Sequence, residues 1–423
     1  MNVFNSMIIV LLIIGLSLSC TDNISSNEVQ TVDLEDFNSL ISPVYVTNIA
    51  TNIEYVPLDS RSEILKRVGS IATSKSHIAI SDGLRCILFD KQGNYITQIG
   101  SKGRGPGEYV SISEIKFFKD HNIIIQSGMN FLIYDLDGTF IRSFTLDIDS
   151  AKRPIISWSV IQDSLIFCKI PNFTGGERYK AAILNAQGET LRLFRNWMFW
   201  DQKVEYFGTD DSYANLYQMR GDIYIKEVMN DTLYKVDNES FLKPVLSFNL
   251  GKYAQPMKDR ELHPFEWFRS AQNYIRIQNI FDSPGQIFLD INFNKLSPSK
   301  RTEPKIVNGQ ELWYYTKNLL GVYDKNSKEL SLSTPEEKES IFTSTGLYND
   351  FDGGPKFYPV AALSDTTLVM WIEAWQLKNY IKSNEFLKSN PKYPKEKRKL
   401  EQLGKSISES DNPVLILLNL KKE

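Results

Sequence analysis

Three segments of this 423-residue chain repeat one pattern: an apolar strand, a turn of the form Asx-x-x-Gly, and an alternating strand leaving the turn. Cys86-Ile-Leu-Phe89 leads into Asp90-Lys-Gln-Gly93, Phe131-Leu-Ile-Tyr134 into Asp135-Leu-Asp-Gly138, and Ala181-Ala-Ile-Leu184 into Asn185-Ala-Gln-Gly188. Glycine at the fourth position supplies the positive φ that a tight turn needs, so each unit is a β-hairpin. The turns start 45 and 50 residues apart, and fainter copies end at Asp237, Asp324 and Asn419 with spacings of 52, 87 and 95. A period of roughly 40–50 residues with about four short strands is the signature of a propeller.

The expectation is an all-β chain, a six-bladed β-propeller with small helical insertions in the last two blades, where the spacing doubles. Residues 261–281 are expected to be partly helical, and residues 394–408 to form a short charged helix with Lys397, Leu400, Leu403 and Ile407 at helical spacing. The early strand Ile53-Glu-Tyr-Val56 has no blade of its own. It is expected to join the last blade and close the ring, which removes exposed sheet edges.

Composition fits this architecture. Aromatics make up 12% of the residues, which suits strands better than helices. Net charge is −3, which lacks the basic field of a general nucleic-acid binder, so no nucleic-acid partner is expected. The three cysteines exclude a disulfide-built scaffold. Cys86 and Cys168 lie in apolar runs and read as buried small side chains.

Met7-Ile-Ile-Val-Leu-Leu-Ile-Ile-Gly-Leu-Ser-Leu18 is apolar and uncharged but too short to span a bilayer, which takes about 20 residues. It fits a signal-peptide core. Leu16-Ser-Leu-Ser-Cys20 then resembles a bacterial lipobox, although no Lys or Arg precedes the apolar run. The expected organisation is a lipoprotein signal peptide over residues 1–19, a lipid anchor and tether over 20–43 with acylation at Cys20, and the propeller over 44–423. The membrane is therefore an expected partner, through the lipid, in the cell envelope and at the outer membrane.

Phe89-Asp-Lys-Gln-Gly-Asn-Tyr-Ile96 followed by Gly100-Ser-Lys-Gly-Arg-Gly-Pro-Gly-Glu-Tyr109 resembles the six-bladed propeller lipoproteins of Bacteroidetes, distant relatives of NHL-repeat propellers. Tyr55-Val-Pro-Leu-Asp59, Asp350-Phe-Asp-Gly-Gly354 and Asp411-Asn-Pro-Val-Leu415 also look like that family. The resemblance covers residues 44–421 and fits blades four to six only loosely. It implies fold and envelope location, and no activity.

The glycine-rich loop is neither a Walker loop nor a dinucleotide fingerprint, because it lacks Gly-Lys-Ser/Thr and Pro106 removes a backbone N–H. It reads as an inter-blade crossing, with Arg104 and Glu108 as candidates to present charge at the ring face. Asp350-Phe-Asp-Gly begins like a calcium loop, but position twelve is Ala361. No cofactor is required. Asp350 and Asp352 are the candidate ligands of a single Ca²⁺ ion completed by other loops, set against a purely structural turn. His77, His121 and His263 have no partner at metal or triad spacing. Asp210, Asp211 and Glu373 are unremarkable carboxylates.

Trp197-Met-Phe-Trp200 and Trp371-Ile-Glu-Ala-Trp375 stand out as aromatic runs. They could stack on sugar rings, anchor a partner, or pack on a blade. Trp197 and Trp200 follow a blade strand and join Arg104 and Glu108 as the candidate binding face.

The leading reading is a monomeric, envelope-anchored module that binds or scaffolds a glycan, a peptide or an outer-membrane protein. The alternative is a glycan hydrolase or lyase with carboxylates spread over several blades, whose spacing would be invisible in sequence. A purely structural envelope component is the third.

Overall fold

The computed structural model describes residues 29–119, 121–146, 148, 155–201, 213–237, 241–298, 305–307, 310–312, 318–334 and 345–422. The leader, Cys20, Asp210 and Asp211 lie outside the described residues.

Six sheets, each with four antiparallel strands and one carrying a fifth, follow one another around the ring, as the repeat requires. Their innermost strands are Ser70–Thr73, Glu114–Phe118, Trp158–Ile161, Ala214–Met219, Arg276–Asp282 and Ala361–Ser364. Each contacts the next, and the last contacts the first, so the ring is closed. The chain is a six-bladed β-propeller.

The repeated turn has two physical causes. The Asx side chain caps it: Asp90 Oδ1 accepts from the Gln92 and Asn94 amides, both at 2.9 Å, and Asn185 Oδ1 accepts from Gln187 and Glu189 at 2.9 and 3.0 Å. The glycine then adopts φ of +84°, +85° and +83° at residues 93, 138 and 188. A Cβ there would also strike the preceding blade, meeting Pro57 O from Gly93, Gln98 O at 2.6 Å from Gly138, and the Phe144 ring at 2.7 Å from Gly188. The motif is thus an inter-blade contact as well as a turn.

Closure follows the expected route and goes further. Ala50–Pro57 pairs antiparallel with Val414–Leu420 as the outer strand of blade six. The propeller nevertheless starts well before residue 44, inside the stretch expected to be tether. Gln30–Asp33 lies parallel on Leu242–Asn249, the outer strand of blade four, making that sheet five-stranded. Ile41 then bridges Leu332 at the edge of blade five, where Ser42 N–H donates to Leu332 O at 2.9 Å. Val32, Leu34 and Phe37 are buried along this path, and Phe37 packs 4.8 Å from the Phe293 ring. The N-terminal segment is a belt that covers the edges of blades four, five and six in turn.

The insertions are partly as expected. Helix α1 (Val46–Ile49) belongs to the belt. Helix α2 (Pro264–Ala271) lies in the connection into blade five, and the rest of the 261–281 stretch becomes that blade's inner strand. The insertion within blade five contains a hairpin of Lys305–Val307 and Gln310–Leu312. Blade six carries α3 (Ala374–Ile381), α4 (Asn384–Lys388) and α5 (Pro394–Ser406) between its second and third strands. Leu377, Phe386 and Leu400 bury this small helical layer. No helix among the described residues is long and apolar enough to cross a membrane.

Candidate functional site

Strand order divides the connections between two faces. Links from first to second strand and from third to fourth emerge on one face, and the described ones are tight turns. Links from second to third strand, and from each blade to the next, emerge on the other. All the helices inserted within or between blades, the Trp197–Trp200 loop and the 345–360 segment therefore belong to one loop-rich face. Large exposed apolar side chains gather in the same connections: Met129, Ile156, Tyr213, Phe265, Phe268 and Val360.

Inside the ring is a cavity of ≈ 1040 Å³ to which every blade contributes, including Ile71, Glu114, Trp158, Tyr217, Gln278 and Ala361. Its polar groups are held in place. Trp158 Nε1 donates to Gln126 Oε1 at 2.6 Å, and Gln126 Nε2 donates to Ile155 O at 2.6 Å. Asp290, nearly buried, braces the blade-five wall by accepting from Asn279 at 3.0 Å, Asn318 at 2.5 Å and the Tyr358 hydroxyl at 2.7 Å. Burial and that carboxylate push the Tyr358 hydroxyl pKa well up, so it stays a proton donor. Glu114 is the one carboxylate among the described lining residues, and Lys116 Nζ lies 3.4 Å from it. The lining is therefore close to neutral: aliphatic side chains, amides, hydroxyls, aromatic rings and one ion pair.

At the top of blades three and four lies a second feature, a cluster of buried charge. Lys169 Nζ is 2.8 Å from Glu227 Oε1, and Lys180 Nζ contacts Glu227 Oε2. All three side chains are at most 4% exposed. Burial alone would raise the Glu227 pKa, but the two ammonium groups hold it well below the usual carboxylate range. Lys226 is buried beside them, donates to Glu227 O at 2.7 Å, and has its pKa pushed down to about 8 by desolvation. Trp197 covers Lys180, with the ammonium 4.1 Å from the ring centre, and packs edge-on against Tyr234 at 5.3 Å. The Arg260 guanidinium lies 5.4 Å from the Trp200 ring centre.

The sequence candidates fall into three separate places. Trp197 and Trp200 both lie on the loop-rich face, Trp197 over Lys180 of the charge cluster and Trp200 against Arg260; Trp197 keeps 46% of its surface exposed. Arg104 is exposed, while the Glu108 carboxylate turns into its own loop and accepts from Gly105 N–H at 2.7 Å. That loop packs on blade two, where Tyr134 OH donates to Gly107 O at 3.0 Å, and it takes no part in lining the cavity. Asp350 accepts from Thr47 N–H at 3.0 Å and Thr47 Oγ1 at 2.5 Å. Asp352, almost wholly buried, accepts from Gly354 N–H at 2.8 Å and Tyr55 OH at 3.2 Å. Both carboxylates thus serve a corner of the fold, and the described residues contain no cluster of three or more His, Cys, Asp or Glu suited to a metal. Glu373 starts α3, where its amide donates to Gln376 Oε1 at 3.2 Å. His263 caps α2 and stacks on Phe265. Cys86 and Cys168 are buried free thiols.

The family model described as a domain of unknown function, DUF4934, matches residues 29–419. The chain belongs to the DUF4934 family. That match spans the belt as well as all six blades. No curated protein matches the DUF4934 chain. Among solved structures, it is similar to a Bacteroides fragilis protein named as exported, with 18% identity, a TM-score of 0.64, and coverage of 93% of this chain and 99% of that one. It is also similar to a DUF4221 family member from Bacteroides vulgatus, with 11% identity, a TM-score of 0.51, and coverage of 88% and 97%. At these identities the likeness shows the fold alone.

Sequence reading of the DUF4934 chain missed Lys169, Lys180 and Glu227. The available signal was a charge at the end of an apolar strand, as in Ile166-Phe-Cys-Lys169 and Ile223-Tyr-Ile-Lys-Glu227. Their pairing across two blades has no local trace.

Proposed function

We propose that this DUF4934 protein is an exported, lipid-anchored binding module of the cell envelope. It takes a neutral, hydroxyl-rich ligand, a glycan, at the mouth of its central cavity. One observation carries this reading: the cavity lining sets amides, hydroxyls and aromatic rings among aliphatic side chains such as Ile71, Leu216 and Ile280, with its single ion pair among the described residues balanced. Such a surface satisfies sugar hydroxyls and stacks on sugar rings without demanding a charged ligand. A hydrolase would need two carboxylates facing the same space, and Glu114 alone lines it among the described residues. Export is supported by the leader and by the name, exported protein, given to the Bacteroides fragilis structure it resembles. Anchoring is supported by the resemblance of Leu16-Ser-Leu-Ser-Cys20 to a lipobox, and we propose the outer membrane as its site.

The test is calorimetry and array binding of the soluble chain from residue 29 onward against neutral envelope and dietary glycans, with Tyr213→Ala as the comparison. Tyr213 is 50% exposed at the cavity mouth, so the variant should fold normally and lose affinity about tenfold or more. A chain that binds no glycan but co-purifies stoichiometrically with a membrane protein would replace this reading with a scaffold. Turnover of a bound glycan, abolished by Glu114→Gln, would replace it with the enzyme.

A further inference from the structure

The direction in which the chain approaches its first strand bears on how the molecule sits in the envelope. Gln30–Asp33 runs parallel to the outer strand of blade four, with Gln30 opposite Leu246. Traced backwards from Gln30, the strand heads toward Phe241 and Leu242, away from the loop-rich face. Cys20 is ten residues before Gln30, a reach of at most about 35 Å in the fully extended chain. An anchor on the loop-rich side would require the chain to reverse its direction at Gln30 and run back alongside Leu246–Asn249.

The tight-turn rim at this point is not an ordinary polar surface. Phe241, just before the outer strand of blade four, is 64% exposed, and Leu191, the second residue of the outer strand of blade three, is 57% exposed. Between these blades is a recess of ≈ 260 Å³ whose lining sets Ile161, Leu165, Ile183, Ile223 and Val236 beside Asp222 and Asp237; Lys235 pairs with Asp222. Arg192 spans the two blades by donating to Asp237 O at 3.3 Å, and Lys243 is exposed beside Phe241. Apolar side chains flanked by long cationic ones suit the boundary between acyl chains and anionic headgroups.

We propose that the tight-turn rim of blades three and four is a membrane-contact surface. Phe241 and Leu191 rest in the headgroup layer of the bilayer that holds the Cys20 lipid, and the loop-rich face with its cavity points away. The proposal rests on the lipid-anchor reading above. It adds an orientation that a flexible tether alone would not impose: the lipid supplies the attachment, and the rim fixes which face is presented.

The experiment uses the full-length acylated protein in vesicles of phosphatidylethanolamine and phosphatidylglycerol carrying nitroxide-labelled lipid. Bimane is attached singly at Phe241→Cys, Leu191→Cys or Phe265→Cys. The two described native thiols, Cys86 and Cys168, are buried and do not compete for the label. All three positions are exposed, so folding is preserved. The expected result is loss of bimane fluorescence at 241 and 191 and none at 265. Quenching at 265 without quenching at 241, or quenching at none while the protein floats with the vesicles, overturns the orientation and leaves the anchor standing. A Cys20 found unacylated by mass spectrometry, with no flotation, removes the anchor reading and the orientation with it.

Discussion

Lys169 on the second strand of blade three reaches across the blade boundary to Glu227 on the second strand of blade four, closing a buried ion pair at 2.8 Å that Lys180 completes from the neighbouring strand. The pair is a buried clamp between two sheets that also meet through apolar packing and hydrogen bonds such as Gln162 N–H to Gln218 Oε1 at 2.8 Å. Its strength lies in what happens when one member is lost. Glu227→Gln removes the carboxylate shared by two buried ammonium groups, so we expect a loss of about 3–5 kcal/mol in unfolding free energy. Denaturant titration followed by tryptophan fluorescence measures it. A loss below about 1 kcal/mol would mean that the ammonium groups find water or another acceptor.

Asp352 gives the fold a pH dependence of the less familiar sign. Burial raises its pKa from 3.8 to about 6, against the opposing donation from Gly354, Tyr55 and Asn349. The folded state therefore holds the proton more tightly than the unfolded chain. The resulting stability is fully present below about pH 4 and is lost as pH rises through about 6. Asp352→Asn should flatten thermal stability between pH 4 and 7, as measured by calorimetry across that range. Tyr55 sits on the closing outer strand, so this dependence is felt where the ring is sealed.

Gly138 and Gly221 separate two roles of glycine. Both have strongly positive φ, +85° and +88°, but only Gly138 would place a new Cβ against a neighbouring blade. Gly221→Ala should cost about 1 kcal/mol for backbone strain alone. Gly138→Ala should cost more, because Gln98 O must also move. Equal losses in denaturant titration would show that the turn does not transmit contact between blades.

Phe37 tests the belt. It is 4% exposed and wedged between the Phe293 and Tyr253 rings, 4.8 and 5.5 Å away. Phe37→Ala should destabilise by about 3–5 kcal/mol. Hydrogen exchange should show the excess opening concentrated in residues 30–41 and the outer strand of blade four. Uniform protection would mean that the belt is dispensable.

Much of the ring was legible because its turns obey a local rule: Asp90, Asp135 and Asn185 cap their own turns, and the glycines three positions later need positive φ. Closure by the strand at Ile53 followed from counting strands that lacked partners. The belt was not legible, because Gln30-Thr-Val-Asp-Leu-Glu-Asp-Phe37 has no sustained alternation and its partners lie more than 200 residues away. Helices α3 and α4 were hidden because they are short, and their few apolar residues, such as Leu377 and Phe386, share one core with α5 and the strands of blade six. The candidate site was read only in outline. Trp197 and Trp200 were visible as an aromatic run, but the charges beneath them and the cavity lining are assembled from six distant strands.

The belt also sets the order in which the molecule can be completed. Ala50 pairs with Leu420, at the far end of the described chain, and Gln30 with Leu246. In synthesis from the N-terminus, the first segments made are the last to find their partners. Contacts of such long range slow folding and leave edge strands unsatisfied meanwhile. Until the final strand arrives, residues 50–57 are an open β-edge seeking a mate, in this chain or in a neighbour. Assembly of the ring is therefore a race between closure and pairing with another copy, and whatever keeps that stretch apart until residue 420 has been made decides the yield.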